Sequence, residues 1–174
     1  SISNEEWIAL KKPLSRGWLT QGPEVKKFED KFCELHSVNH SLATTSCTTA
    51  LHLALKAIDI KVGDEVIVPS FTWVSTANVV LYCGATPIFC DVDRQTFNIK
   101  IEDIKSKLSK KTKAIIPVHL FGLCSDIDSI KKIIPKEIKI IEDAACAAGA
   151  FYKKKSAGSL GNLAAFSFHP RKSI

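Results

Sequence analysis

A chain of 174 residues has room for one domain and not for two of ordinary size, and its 45% hydrophobic and 24% charged residues suit a globular protein with a real core. No apolar run approaches bilayer length, which sets a membrane-spanning role aside. The formal net charge of +6 raises nucleic-acid binding as a function, but the lysines are scattered through helical and turn segments. The densest run, Lys153 to Lys155, reads as a polar turn between two short extended pieces, and RNP-type aromatic motifs and zinc-finger spacings are missing. A solvated surface is the better reading.

The six cysteines (Cys33, Cys47, Cys83, Cys90, Cys124 and Cys146) form no CxxC pair, and most sit in apolar runs. The start, SISNEEW, has neither a basic nor an apolar leader region. Reduced thiols in a cytoplasmic protein are therefore expected. The chain contains no methionine, so sequence ahead of Ser1 is expected to have been removed or left out. The histidines show no metal-ligand spacing, and no structural metal is expected.

In chain order, GPEVKKFEDKFCELH carries Val25, Phe28, Phe32 and Leu35 on one helical face. HSLATTS reads as a short extended piece running into the helix CTTALHLALKAI, marked by Leu51, Leu55 and Ile58. DEVIVPS is a β-branched strand, followed by the helix-like TWVSTANVVLYCG. ATPIFCDVD is a strand and IEDIKSKL a helix. TKAIIPVHLFG reads as a strand, DIDSIKKII as a helix, EIKIIEDAA as a strand and NLAAFSFH as the last extended run. Short apolar strands alternating with helices predict a three-layer α/β/α domain with a mostly parallel sheet. In such sheets ligands gather beyond the carboxyl ends of the strands. Those ends carry TTSCTT, VPSFTW, PVHLFG, EDAACAAG and SFHPRK.

Each of these places has a functional and a plainer reading. The hydroxyls of SCTTAL open a helix, where amides and the helix dipole favour an anion, but Ser and Thr also cap helices routinely. Asp143 at a buried strand end needs a cation or several donors, or simply caps the next turn. Glu142 alternates with it and should face the other way. Lys172 can form an imine once its charged state is disfavoured, although a lone lysine is usually a surface charge. Trp73 can stack on a planar ligand or, more commonly, fill a core. His119 can serve as an acid or base or, more commonly, as a hydrogen-bonded structural residue. An anion cradle, an aromatic plate, a carboxylate and a lysine at one sheet edge are what pyridoxal 5'-phosphate (PLP) requires.

With these residues in place, the sequence resembles the DegT/DnrJ/StrS-type sugar aminotransferases, a branch of the fold-type-I PLP enzymes. The matching stretches are GWLTQGPEVKKFE, SCTTALHLAL, GDEVIVPSFTWVSTANVV, GATPIFCDVD, TKAIIPVHLFG, IIEDAA, GSLG and FSFHPRKSI. They run in order over essentially the whole chain. The resemblance implies that residues 1–174 are the N-terminal part of the PLP-binding large domain. The rest of that domain and the small domain would lie in a C-terminal half absent here.

The resemblance further implies that Lys172 holds the cofactor covalently and shuttles the proton, and that Asp143 pairs with the pyridine nitrogen. Trp73 would lie on one ring face and Ala145 against the other, with Thr48, Thr49 and Ser167 at the phosphate. Cys146 stands where the family usually has His or Gln, near the phenolic oxygen. A thiol is a weak donor, which implies looser orientation of the ring.

The implied reaction moves an amino group, from glutamate, to a nucleotide-linked keto sugar. Such amino sugars enter surface polysaccharides, lipopolysaccharide among them, or secondary metabolites. The implied assembly is a homodimer of the full-length protein. Two other readings stand beside this one: a catalytically inactive remnant or interaction module, and a PLP-dependent sugar dehydratase. Dehydratase relatives replace the lysine with histidine, whereas Lys172 is retained and His169 belongs to the SFH stretch before it. Without the second half, exposed sheet edges should make the isolated chain poorly soluble or self-associating.

Overall fold

The structure, a computed structural model, describes residues 3–172. Contacts divide the chain into two units, one reaching to Ala43 and the other beginning at Thr44.

The first unit is helical. Helix α1 (Asn4–Ser15) opens on a capping box in which Ser3 accepts from the Glu5 amide and Glu6 reaches back to the Ser3 amide. The sequence reading places no element here. Helix α2 (Pro23–His36) follows the predicted segment, with Pro23 in the first turn, where a missing amide costs nothing. Gly22 ahead of it permits a close approach, since a Cβ there would come within 2.7 Å of the Trp18 indole nitrogen. HSLATTS, expected to be extended, joins no ladder. Inside the first unit, Ser41 donates to the Glu29 carbonyl at 2.7 Å and the Ala43 amide donates to the Glu29 carboxylate at 2.9 Å. For the Ala43 amide, Glu29 thus meets a need that strand pairing would otherwise serve.

The second unit is an α/β domain. In chain order it contains α3 (Cys47–Ala57), β1 (Glu65–Pro69), α4 (Ser75–Tyr82), β2 (Thr86–Cys90), α5 (Ile101–Lys107), β3 (Thr112–Ile115), α6 (Ile127–Ile133) and β4 (Lys139–Asp143). A hairpin of β5 (Phe151–Tyr152) and β6 (Lys155–Ser156) precedes β7 (Leu163–Ala165). The main sheet has five strands in the order β2-β1-β3-β4-β7, and every pairing is parallel.

Because successive strand residues point to opposite faces, each central strand feeds two cores. Val66, Val68, Ala114, Ile116 and Ile141 pack with Leu51 and Leu55 of α3 and Val79 and Val80 of α4. Ile67, Ile115 and Ile140 pack on the other side with Ile104 of α5 and Ile127 and Ile130 of α6. This is the expected layered α/β arrangement, with helices on both faces.

Two strands are shorter than their sequence runs. TKAIIPVHLFG leaves the ladder after Ile115, because Pro117 has no amide to donate. A single bridge then joins Val118 to Asp143, and a 3-10 turn over Leu120–Gly122 holds Phe121 at φ 54°. The NLAAFSFH run pairs only over Leu163–Ala165.

The Lys153 to Lys155 run is the predicted polar turn. Lys153 and Lys154 sit at φ 47° and 71° between β5 and β6, the left-handed pair that a two-residue hairpin demands. Lysine bears a steric cost there that glycine does not. Lys153 also pairs with Asp128 at 2.8 Å, so Lys154 is the position to change. Lys154→Gly should stabilise the chain by about 1 kcal/mol in denaturant unfolding, and an unchanged or lower midpoint would refute this.

Candidate functional site

All five strands of the main sheet run the same way, so the segments leaving their carboxyl ends emerge at one edge. That edge receives Ser70–Trp73 after β1, His119–Gly122 beyond β3, Ala144–Cys146 after β4, and the Ser167–Lys172 segment after β7.

Asp143, the last residue of β4, is 3% exposed. Its backbone is fixed on both sides: the His119 amide donates to its carbonyl at 3.0 Å, and its own amide donates to Pro117 at 2.9 Å. One carboxylate oxygen accepts from the Thr76 hydroxyl at 2.8 Å, and the other accepts from the Ala145 amide at 3.2 Å. The Thr76 oxygen lies 3.0 Å from that of Thr72, which therefore donates to it. Both donors to the carboxylate are neutral. Among the described residues no cation stands at ion-pair distance, and burial pushes the Asp143 carboxyl up. Lys172 and His119 oppose that rise only through space.

Glu142 faces the other way, as the alternation predicts. It is fully buried, and its two oxygens collect amide donors from Gly158, Leu160 and Gly161 at 2.7, 2.7 and 2.5 Å, with His119 Nε2 at 2.8 Å. His119 Nδ1 accepts from the Ser125 amide at 3.1 Å, so Nε2 carries the proton that bonds Glu142. With both nitrogens committed inside the core, His119 is the structural histidine of the plainer reading. Burial works to raise the Glu142 carboxyl, but His119 and the amides outweigh it and hold it below the usual carboxylate range. The stability this gives is present above the carboxyl's unfolded-state pKa and is lost as pH falls through the lower native value.

Lys172 is half-buried, and its Nζ lies 3.2 Å from Cys146 Sγ. Its amide donates to the His169 carbonyl at 2.8 Å, which turns the chain so that the side chain heads back toward β4's end. Cys47, the first residue of α3, lies in the same electrostatic neighbourhood. Burial pushes its thiol up to about 12, the Asp143 charge adds to the rise, and Lys172 opposes it.

Ala145 is half-buried beside Asp143. Thr48 and Thr49 lie in the first turn of α3, where Ser46 caps the helix by accepting from the Thr49 amide at 3.1 Å. The Thr49 hydroxyl joins those of Ser46 and Thr45 at 2.9 and 3.2 Å. The capping reading therefore holds for Ser46, alongside a hydroxyl cluster at the helix start. Ser167 is half-buried, and its hydroxyl accepts from the His169 amide at 3.3 Å.

Trp73 corrects the base-rate expectation of core filling. It is 74% exposed at the start of α4, where its carbonyl accepts from the Thr76 amide. The structure thus brings Asp143, Ala145, Cys146 and Lys172 together directly, with Thr48, Thr49, Trp73 and Ser167 on adjoining segments. The sequence reading missed Thr76, Thr72 and Cys47. A hydroxyl at position 76, beside the buried Ala77, Val79 and Val80 of an apolar helix, was the available signal.

A parallel sheet between helices, with a lysine and a buried carboxylate at its carboxyl edge, is a class of α/β fold found in aminotransferases. The chain belongs to the DegT/DnrJ/EryC1/StrS aminotransferase family, whose model matches residues 1–174. It is similar to Spr1654 from Streptococcus pneumoniae, assigned as a sugar aminotransferase and solved in its PLP form. Identity is 31%, the TM-score is 0.95, and the match covers 99% of this chain and 48% of that one. It is also similar to an aminotransferase from Psychrobacter cryohalolentis, with 40% identity, a TM-score of 0.94, and coverage of 99% and 44%. A family member from Brucella abortus shares 39% identity at a TM-score of 0.90, with 97% and 48% covered. This chain therefore spans less than half the length of each of these relatives. Among the described residues no helix is long and apolar enough to cross a membrane, and no cluster of His, Cys, Asp and Glu could hold a metal ion.

Proposed function

We propose that this chain carries the cofactor-anchoring part of a PLP-dependent sugar aminotransferase, acting in the cytoplasm as part of a homodimer. The amino group would pass from glutamate to a nucleotide-linked keto sugar. The observation that carries this reading is Asp143: a buried carboxylate with only neutral donors, on the same sheet edge as Lys172. Burying such a group is costly unless a cation completes it, and a protonated ring nitrogen is a cation of the right shape.

The other residues fit the same group. Lys172 would hold it covalently and move a proton at the substrate carbon. Thr48, Thr49 and Ser167 would hold its phosphate, with the start of α3 contributing amides. Trp73, exposed and flat, would cover one ring face, while Ala145 leaves room at the other. Cys146 would lie by the phenolic oxygen, a weaker donor than His or Gln. The chemistry that PLP supplies when bound is that of an electron sink for amino-group transfer.

Titration of the chain with PLP, followed by borohydride and peptide mass mapping, tests the reading. The label should concentrate on Lys172. Labelling spread evenly over surface lysines would overturn it.

A further inference from the structure

We propose that Cys146 and Lys172 are a modification site: in the chain free of PLP, a peroxide joins them through a sulfur–nitrogen bond that withdraws the lysine amine. The ground is the 3.2 Å contact between Lys172 Nζ and Cys146 Sγ, which puts an amine against a thiol with both side chains half-buried and reachable by a small oxidant. This goes beyond the proposed aminotransferase role and does not need it, because the chemistry involves only the two side chains and hydrogen peroxide.

The chemistry balances in two steps. The Cys146 sulfur attacks one peroxide oxygen; the O–O bond breaks, the sulfur becomes a sulfenic acid, and the other oxygen leaves as water. The sulfur has then lost two electrons and the peroxide has gained them. Next, the Lys172 ammonium gives a proton to solvent, its freed nitrogen lone pair attacks that sulfur, an S–N bond forms, and the S–O bond breaks. The departing hydroxyl takes a proton from the amine and leaves as a second water. The product is a sulfenamide, one thiol hydrogen and one amine hydrogen lighter than the starting chain. A small thiol reverses it by attacking the sulfur and releasing the amine.

The surroundings favour Lys172 as the partner of the oxidised sulfur. Cys47 is the competing thiol in the same neighbourhood, but burial and the Asp143 charge push it up to about 12, which weakens it as a nucleophile. Cys83 and Cys90 are buried in the two cores, and burial also raises the Cys124 thiol. Among the described residues none of these thiols has an amine at hydrogen-bond distance, whereas Cys146 does.

The experiment treats the PLP-free chain with hydrogen peroxide at neutral pH and reads intact mass and non-reduced peptides. The expected result is a loss of about 2 Da, reversed by dithiothreitol, with a linked peptide pair containing Cys146 and Lys172. Cys146→Ser and Lys172→Ala should each abolish that loss, and Cys47→Ser should keep it. Gain of oxygen alone (about 16 or 32 Da), no mass change, or a loss that disappears in Cys47→Ser would each overturn the proposal. Because none of these readings involves PLP, failure here is separate from failure of the aminotransferase assignment.

Discussion

Lys172→Ala should leave the chain folded and abolish fixation of PLP by borohydride at this position. In the complete protein, transamination should fall by roughly a thousandfold, within the 10²–10⁴ that a positioned acid–base group contributes. The folded state should hardly notice the change. The Lys172 side chain is half-buried, its hydrogen-bond partner among the described residues is Cys146 Sγ, and the turn that brings it there depends on the backbone bond to His169. Substitutions of this kind usually stay within about 0.5 kcal/mol. Thermal unfolding and borohydride labelling on the same samples therefore separate the two effects. A variant that folds and still fixes PLP at another single lysine would show that the anchor has been misassigned.

Asp143→Asn should move stability and ligand binding in opposite directions. In the PLP-free chain the carboxyl is raised by burial, so the native state holds its proton more tightly than the unfolded state does. Such a group costs stability progressively as pH rises through its unfolded and then its native value. Asparagine removes that cost and can keep the local bonds: its oxygen accepts from Ala145, and its amide donates to Thr76, whose hydroxyl then turns away from residue 143. The melting temperature at neutral pH should therefore rise by a few degrees, and the gain should shrink as the pH is lowered. PLP binding should weaken by about tenfold to a hundredfold, the worth of a charge-assisted bond to the ring nitrogen. A fall in melting temperature at neutral pH, or unchanged PLP affinity, would contradict the role given to this carboxylate.

The fold was legible where apolar periodicity and turn chemistry agree. EVIVP between polar residues, and the helix stripe of Leu51 and Leu55, state their structures plainly, and the two faces of the sheet are already separated in Val66, Ile67 and Val68. The start of the chain was not legible by the same signal. The twelve residues of α1 bury nothing, so its apolar residues mark no core stripe and only Ser3 with Glu6 announces a helix. HSLATTS suits an extended chain, and Ser46 is extended, but the stretch pairs with no strand, and the acceptor of its Ala43 amide, Glu29, lies on a helix.

The site divides in a similar way. Asp143 and Lys172 could be named because strand ends of a parallel sheet converge whatever lies between them in sequence, whereas Cys146 came only from the family resemblance. Thr76 could not be placed against Asp143 from sequence, since 67 residues separate them. Trp73 shows the limit of base rates: a tryptophan is usually covered, but this one follows a strand end at the sheet's carboxyl edge and stays in the open.

The donors gathered by Glu142 also set where this chain can change length. Gly158, Leu160 and Gly161 are all latched to that carboxylate, and Asn162 is latched to Ile140 by an amide and a side-chain bond, both at 2.8 Å. The stretch just before β7 is thus held at a fixed count of residues, and β7 in turn sets how far Lys172 reaches. The hairpin tip at Lys153 and Lys154, upstream of those latches, can grow or shrink without moving the lysine. One inserted residue between Gly158 and Asn162 would break a latch and carry the error toward Lys172. Neighbours on one strand therefore divide the labour: Asp143 faces the edge where Lys172 arrives, and Glu142 measures out the chain that brings it there.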